Sequence, residues 1–541
     1  MSSSVAPATV PRPGPRPVVS EAVQAASLSF SELVDLIVAR NGVPVDSYGV
    51  AAALESEGLR DVDARERFGS IDVFDLAEDV YGAALQKIVE TPIVRPSELT
   101  AWSKLVRFLR FYARGVLFAL PIVLQLTTVI LVQVRTELTD AQATAVMLGS
   151  ILSFAATGGF SQAIGRLGST YKSRTAYHLT RIVVLRIISI GLLSSLALGA
   201  LVAIVGFTLA PFPHSVVETA LAYQLLLSWL WLSLSVLYML ERRTLVVAMV
   251  ALWLGVFTLL ITVAGTGVVV SQLAGYAVAA LVATAIARVD LKRFAATTPP
   301  AARSETLPRW PILFVGTAPY FVYGILYFGL LFTDRIVGWS AGAPDGFLFY
   351  FHRRYELGLD WALVLTVAAL ESTIHEFGAL LEPTQRRFTA ARLREHNRAF
   401  FRFYLKQVAI FVAIALLSGF ATYGIVARAG VLDHIPALHV LVEQRETVRV
   451  FQVAVLAYAL LAFALMNAVV LFFLSRPKAP LWGLGLGLVA TIVVGTVASR
   501  TIAPWTSCFG LLAGTGVFAL ITCFTTVRVV RRMDFFYYAA Y

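Results

Sequence analysis

Hydrophobic and polar positions alternate along this chain on two length scales. Between residues 29 and 90, apolar residues recur at helical spacing in short runs. "SFSELVDLIVARNG" puts Leu33, Ile37 and Val38 on one face, with Ser31 as the expected N-cap and Gly42 as the stop. "DSYGVAAALESEG" repeats the scheme with Asp46 or Ser47 as cap and Gly58 as stop. "SIDVFDLAEDVYGAALQKIV" then predicts a longer amphipathic helix carrying Val73, Leu76, Val80 and Leu85. Together they predict a small helical domain. It holds no motif for chemistry, so it reads as a folded spacer or docking module, with nucleotide sensing as the alternative.

Beyond residue 100 the polar positions disappear for about twenty residues at a time, the length a helix needs to cross about 30 Å of hydrocarbon. The uncharged runs are Gly115 to Val134, Ala141 to Gly165, Ile187 to Ala210, Thr219 to Leu240, Thr244 to Ala287, Trp310 to Thr333, Gln407 to Ala427, Val450 to Ser475, Ala479 to Ser499 and Thr501 to Val527. The run from Thr244 is of double length and breaks at "AGTG", Ala264 to Gly267, so it counts as two. A further span surrounds "ALESTIHEF", Ala369 to Phe377, which brings the count to about twelve.

Composition agrees with this pattern. The 541 residues are 58% hydrophobic and 14% charged with mean hydropathy +0.76, which excludes an ordinary soluble domain. The net charge of +11 lies in loops beside apolar runs and points to membrane orientation, not to nucleic-acid binding. Basic residues crowd every second loop, as in Arg107 to Arg114, Arg166 to Arg181, Arg288 to Arg309, Arg386 to Lys406 and Arg528 to Arg532, so both termini are expected in the cytoplasm. No secretory signal opens the chain, and "PRPGPRP" cannot bury apolar area, so this stretch is expected to be disordered. Cys508 and Cys523 stand about four helical turns apart, too far for a disulfide.

The expected organisation is a Pro-rich tail over 1–28, a cytoplasmic helical domain over 29–100, a first transmembrane half over 101–300 and a second over 301–541. "VLFALPIVL" and "ILFVGTAPYFVYG" open the two halves, each with an early proline, Pro121 or Pro319, as a helix-bend candidate.

Ionisable residues inside spans are costly and mark functional paths. On span eight a period of 3.6 aligns Asp360, Glu371, His375 and Glu382, with Glu376 flanking. Glu371 lies roughly 20 Å down, and His375 and Glu376 lie about a turn deeper. A structural reading, interfacial His375 and Glu376 with Glu371 paired across helices, stands beside an aqueous path. At the end of span seven Asp334 adjoins Arg335, which could neutralise each other. Arg353, Arg354, Glu356 and Asp360 follow in the next loop and would crowd the external mouth. From Gly115 to Ala287 the only acids, Glu137, Asp140, Glu218 and Glu241, fall at span ends, which counts against simple cation-coupled drug antiport. Glu371 and His375 are only two possible metal ligands, so no metal and no cofactor is expected. No enzyme constellation is present, and the first outer loop, "RTELTD", is too short to hold a lipid-linked glycosyltransferase site. Glu382 to Lys406 is basic with interleaved aromatics. Its Arg386, Arg387, Arg394, Arg398 and Arg402 suit the anionic inner leaflet or a partner's docking surface.

"LYFGLLFTDRIVGW", "YELGLD" at Tyr355 to Asp360 and "ALESTIHEF" with the basic aromatic segment after it resemble the PelG family of polysaccharide exporters. That family lies in the superfamily (MOP) that also holds the multidrug, O-antigen and lipid-linked-precursor flippases. The resemblance spans Phe332 to Lys406. It places Asp334, Arg335, Glu356 and Glu371 at the family's acid-plus-base, Tyr-acid-Leu and Leu-Glu-Thr positions. It implies an all-α polytopic membrane protein of about twelve helices in two six-helix MOP-type halves. The implied function is a flippase or exporter of the plasma (inner) membrane for a polysaccharide or lipid-linked saccharide, acting with a cytoplasmic glycosyltransferase. A cation-coupled multidrug antiporter and a non-transporting scaffold of a polysaccharide synthase are the other readings.

Overall fold

The computed structural model describes residues 28–41, 46–90, 138–298, 306–307, 309–363, 393–427, 444–532 and 535. These residues divide into two compact units, one holding 28–90 with 393–400, the other holding 138–363 and 401 onward. The first expected span, Pro121, the whole "ALESTIHEF" motif with Glu371, His375 and Glu376, and Arg386 and Arg387 lie outside the described residues.

In the first unit the predicted helices form as α1 (Phe30–Asn41), α2 (Ser47–Ser56) and α3 (Val73–Glu90), with a tight helical turn over Asp61–Phe68 before α3. Leu33, Ile37, Leu54, Leu76 and Val80 build its core. Two sequence expectations shift. Ser29, not Ser31, caps α1, since its backbone N–H and hydroxyl both donate to the Glu32 carboxylate, at 2.8 and 2.7 Å, and its Oγ accepts from the Glu32 amide. Leu85 is only half-buried because Ala84 takes the core position on α3. Asp46 caps α2 by accepting from Gly49 N at 2.7 Å, and Gly58 ends it at φ 87°.

The second unit is a helical bundle: α4 (Asp140–Ser173), α5 (Tyr177–Thr208), α6 (His214–Met239), α7 (Arg243–Thr262), α8 (Val268–Ala296), α9 (Trp310–Trp339), α10 (Leu393–Ala427, which begins in the first unit), α11 (Arg445–Phe473), α12 (Lys478–Thr501) and α13 (Cys508–Val530). Ten helices among the described residues are long and apolar enough to cross a membrane. The double-length run breaks where the sequence places it, between Thr262 and Val268 with Gly265 at φ 62°. Thr501 to Val527 is interrupted at Pro504–Ser507 by a 3-10 turn, so α13 begins only at Cys508. The basic aromatic segment is not a separate surface helix from Leu393 on. It runs without a break into the apolar part of α10, with Arg398 and Arg402 exposed and Phe400 and Tyr404 buried. The Tyr404 hydroxyl donates to Asn467 Oδ1 at 2.7 Å and fixes α10 against α11.

Between spans of equal apolarity, close packing replaces the hydrophobic effect as the source of helix association, and small residues permit it. At the crossing of α4 and α9, the first helix of each half that is described, Gly158 meets Gly324 backbone to backbone. One turn away Phe154 stacks on Phe328 and Phe332 of α9 at 4.8 and 5.4 Å, and on Trp231 of α6 at 5.0 Å. Pro319 lies inside α9, close to this crossing.

A Cβ on Gly324 would run into the Gly158 carbonyl, whereas one on Gly316, two turns earlier, would meet nothing. Gly324→Val is therefore expected to lower stability by about 1–3 kcal/mol, read as a lower melting temperature of the purified protein in detergent. Gly316→Val should melt like the parent, and equal melting of the two variants would show that the backbones do not touch.

Candidate functional site

The candidate residues that the structure describes gather at the end of α9. Neighbouring residues on a helix point about 100° apart, so Asp334 and Arg335 face different neighbours despite their adjacency. The self-neutralising pair that the sequence suggests therefore does not form as a contact. Asp334 turns to Tyr355, whose hydroxyl donates to Asp334 Oδ2 at 2.6 Å. Arg335 turns to the helical stretch over 353–363, where Glu356 and Asp360, four residues apart, share a face. Its Nε donates to Glu356 Oε2 at 2.8 Å, its Nη2 reaches Asp360 Oδ1 at 3.4 Å, and its Nη1 donates to the Leu331 carbonyl at 3.2 Å. The guanidinium also lies 5.2 Å from the Phe332 ring centroid.

Glu356 is therefore not a loop residue at a mouth. It is 3% exposed, Asp334 0% and Arg335 3%, while the Asp360 side chain is 49% exposed and gives the cluster its one open edge. Arg353 and Arg354 do remain at the surface, 4.0 Å from Asp140 and 3.7 Å from Glu446. Two carboxyl groups, Glu356 and Asp360, thus share one guanidinium, and a third, Asp334, is buried beside them on the Tyr355 hydroxyl. Asp334 Oδ1, Glu356 Oε1 and the Tyr458 hydroxyl make no hydrogen bond among the described residues.

Sequence reasoning missed Tyr458 and Asn467. A signal existed: within the apolar run of α11 they and Gln452 are the polar side chains, and both are fully buried. Among its described residues the first half has no counterpart to the ion cluster. Its buried polar groups are neutral: the Tyr223 hydroxyl donates to Gln272 at 2.5 Å, and Gln224 donates to the Ser195 carbonyl and hydroxyl at 3.0 and 2.7 Å. Of the described acids of that half, Asp140, Glu218 and Glu241 are exposed or stand at helix ends, and Asp290, half-buried in α8, pairs with the exposed Arg242 at 3.1 Å.

The helix order and packing define a multi-pass helical membrane protein. The fold is similar to crystal structures of the Vibrio cholerae MATE transporter VcmN. A mutant form of VcmN gives a TM-score of 0.51 at 15% identity over 80% of this chain and 98% of that one, and the bent form gives 0.50 at 16% over the same shares. No family model and no curated protein matches the chain.

Removing one partner of a buried ion pair strands the other, at about 3–5 kcal/mol. Arg335→Met is expected to depress the melting temperature in detergent most, Tyr355→Phe less, by about 1–3 kcal/mol for the lost donor to Asp334. Arg335→Met combined with Glu356→Leu should recover part of the loss. A double variant no more stable than Arg335→Met alone would mean that Arg335 and Glu356 do not stabilise each other.

Proposed function

We propose that this protein is an alternating-access exporter or flippase for a polysaccharide or lipid-linked saccharide. It would act in the inner membrane, with both termini cytoplasmic, together with a cytoplasmic glycosyltransferase. One observation carries the reading. Asp334, Arg335 and Glu356, which hold the positions of the polysaccharide-exporter resemblance, converge into a single buried cluster at the end of α9, inside a MATE-like bundle. Ionisable groups held this deep persist where they face a substrate or ion path. The surplus of two carboxyl groups gives the cluster capacity for protons or another small cation, taken up in one conformation and released in the other. Asp360 is the route of entry, being the member with solvent access.

A cation-coupled multidrug antiporter is the second reading, favoured by the likeness of the fold to a MATE transporter. The absence of a buried acid among the described residues of the first half weighs for the saccharide. Under the antiport reading the same acid surplus would drive efflux of organic cations.

Deletion of the gene is expected to abolish secreted exopolysaccharide while glycosyltransferase activity in membranes persists; unchanged polymer would sink the reading. Glu356→Gln and Glu371→Gln, restored to the deletion strain at parental protein levels, should reduce export at least tenfold. In proteoliposomes the parent should show no proton movement on addition of ethidium or norfloxacin. Drug-triggered proton release would decide for the antiporter.

A further inference from the structure

The two halves of the membrane unit do not meet evenly. One apolar cluster gathers Trp339, Phe349, Tyr355, Phe451 and Tyr458 of the second half. Its buried first-half members among the described residues are Ala145, Phe212, Val216 and Val217, with further residues of α4 and α6 such as Leu148, Ile151 and Leu221 packed against it. The other apolar cluster belongs to the first half and has one described buried residue from the second, Leu313. At that opposite end the halves touch through exposed arginines lying over rings, Arg166 at 4.9 Å from Tyr320 and Arg186 at 5.4 Å from Trp310.

The well-joined end is closed by the loop after α9. Gly342 and Gly346, at φ 95° and 83°, fold it back across the bundle. Leu348 N then donates to the Pro211 carbonyl at 3.0 Å, and Phe351 N donates to Thr144 Oγ1 at 2.9 Å. The Phe212 ring packs edge-on against Phe349 at 4.9 Å and Phe347 at 6.2 Å. Arg353 completes the line by donating to the Leu138 carbonyl at 3.2 Å, beside Asp140. Every one of these contacts joins the second half to the first. All are made by loops or helix ends and not by interlocked spans, and the Arg353 side chain is still 55% exposed. Such a seam can part as a unit without unfolding a helix.

We propose that the loop over 340–352, with Arg353, is a clasp that holds the outer mouth shut. The assignment of this end to the outside rests on the sidedness and export direction proposed above; the clasp itself does not. Opening to the outside requires Phe349 to leave Phe212 and Arg353 to leave Leu138 and Asp140.

The test uses the full-length protein with Cys508→Ser and Cys523→Ser. Spin labels at Thr208→Cys and Asp345→Cys, on the two sides of the seam, report its opening whatever the cargo or the sidedness. The parent should give a short, narrow distance distribution, and Phe349→Ala with Arg353→Ala should add a longer population; an unchanged distribution overturns the clasp. If that pair aggregates, Phe349→Leu with Arg353→Gln is used, with the same expectation. Separately, Leu363→Cys, one turn past Asp360, is labelled with a membrane-impermeant maleimide. Breaking the clasp should accelerate labelling severalfold in intact cells. Acceleration only in inverted vesicles would keep the clasp and overturn the sidedness, and the export direction with it. No acceleration on either side overturns the claim that the clasp guards access to the ion cluster.

Discussion

The arrangement of the second half depends on one guanidinium. Arg335 is buried in the membrane unit, and a buried cation without partners is not tolerated. It therefore dictates where Glu356 and Asp360 must stand, which fixes the register of the helical stretch over 353–363 against α9. That register brings Tyr355 under Asp334 and packs Leu359 and Ala362 into the core with Val450, Ala454 and Tyr458 of α11. The same charge thus sets the geometry of the site and the packing of its scaffold, so variants here affect stability and function together.

The two halves solve the problem of burying polar groups differently. In the described part of the first, buried amide and hydroxyl side chains pair with one another, as with Tyr223 on Gln272 and Gln224 on Ser195, and the oxygens left over are neutral ones, Gln224 Oε1 and Ser228 Oγ. In the buried cluster of the second, acids outnumber bases and the oxygens left over include two of carboxyl groups. A neutral network gains nothing from exchanging an ion, whereas a charged and incomplete one changes its energy with every proton it takes up.

Much of this was legible in the sequence. Uncharged runs of span length are a strong signal because lipid admits few alternatives, and the break at Ala264 to Gly267 was readable because two glycines interrupt an otherwise continuous run. Asp334, Arg335, Glu356 and Asp360 were visible as charges in apolar surroundings. Their pairing was not, because it depends on the helical angle between neighbours and on a loop that folds back. Span ends drifted for a related reason: α9 continues past Thr333 to Trp339 since Asp334 and Arg335 find partners in Tyr355 and Glu356, and hydropathy counts a charge whether or not it is paired. The cap of α1 slipped by two residues because Ser29 and Ser31 both suit the role, and only Ser29 stands three residues before a glutamate.

The crossing at Gly158 and Gly324 has a mechanical consequence. Where side chains interlock, one helix must climb over the ridges of the other to move, and the barrier is set by the largest residue in its path. Two bare backbones have no ridges. At this point α4 and α9 come closer than any side chain would allow, with the Phe328 ring against Gly158 and the Phe321 ring against Gly159. The pair of glycines therefore sets how near the two helices can stand, and any larger residue there would act as a wedge between them.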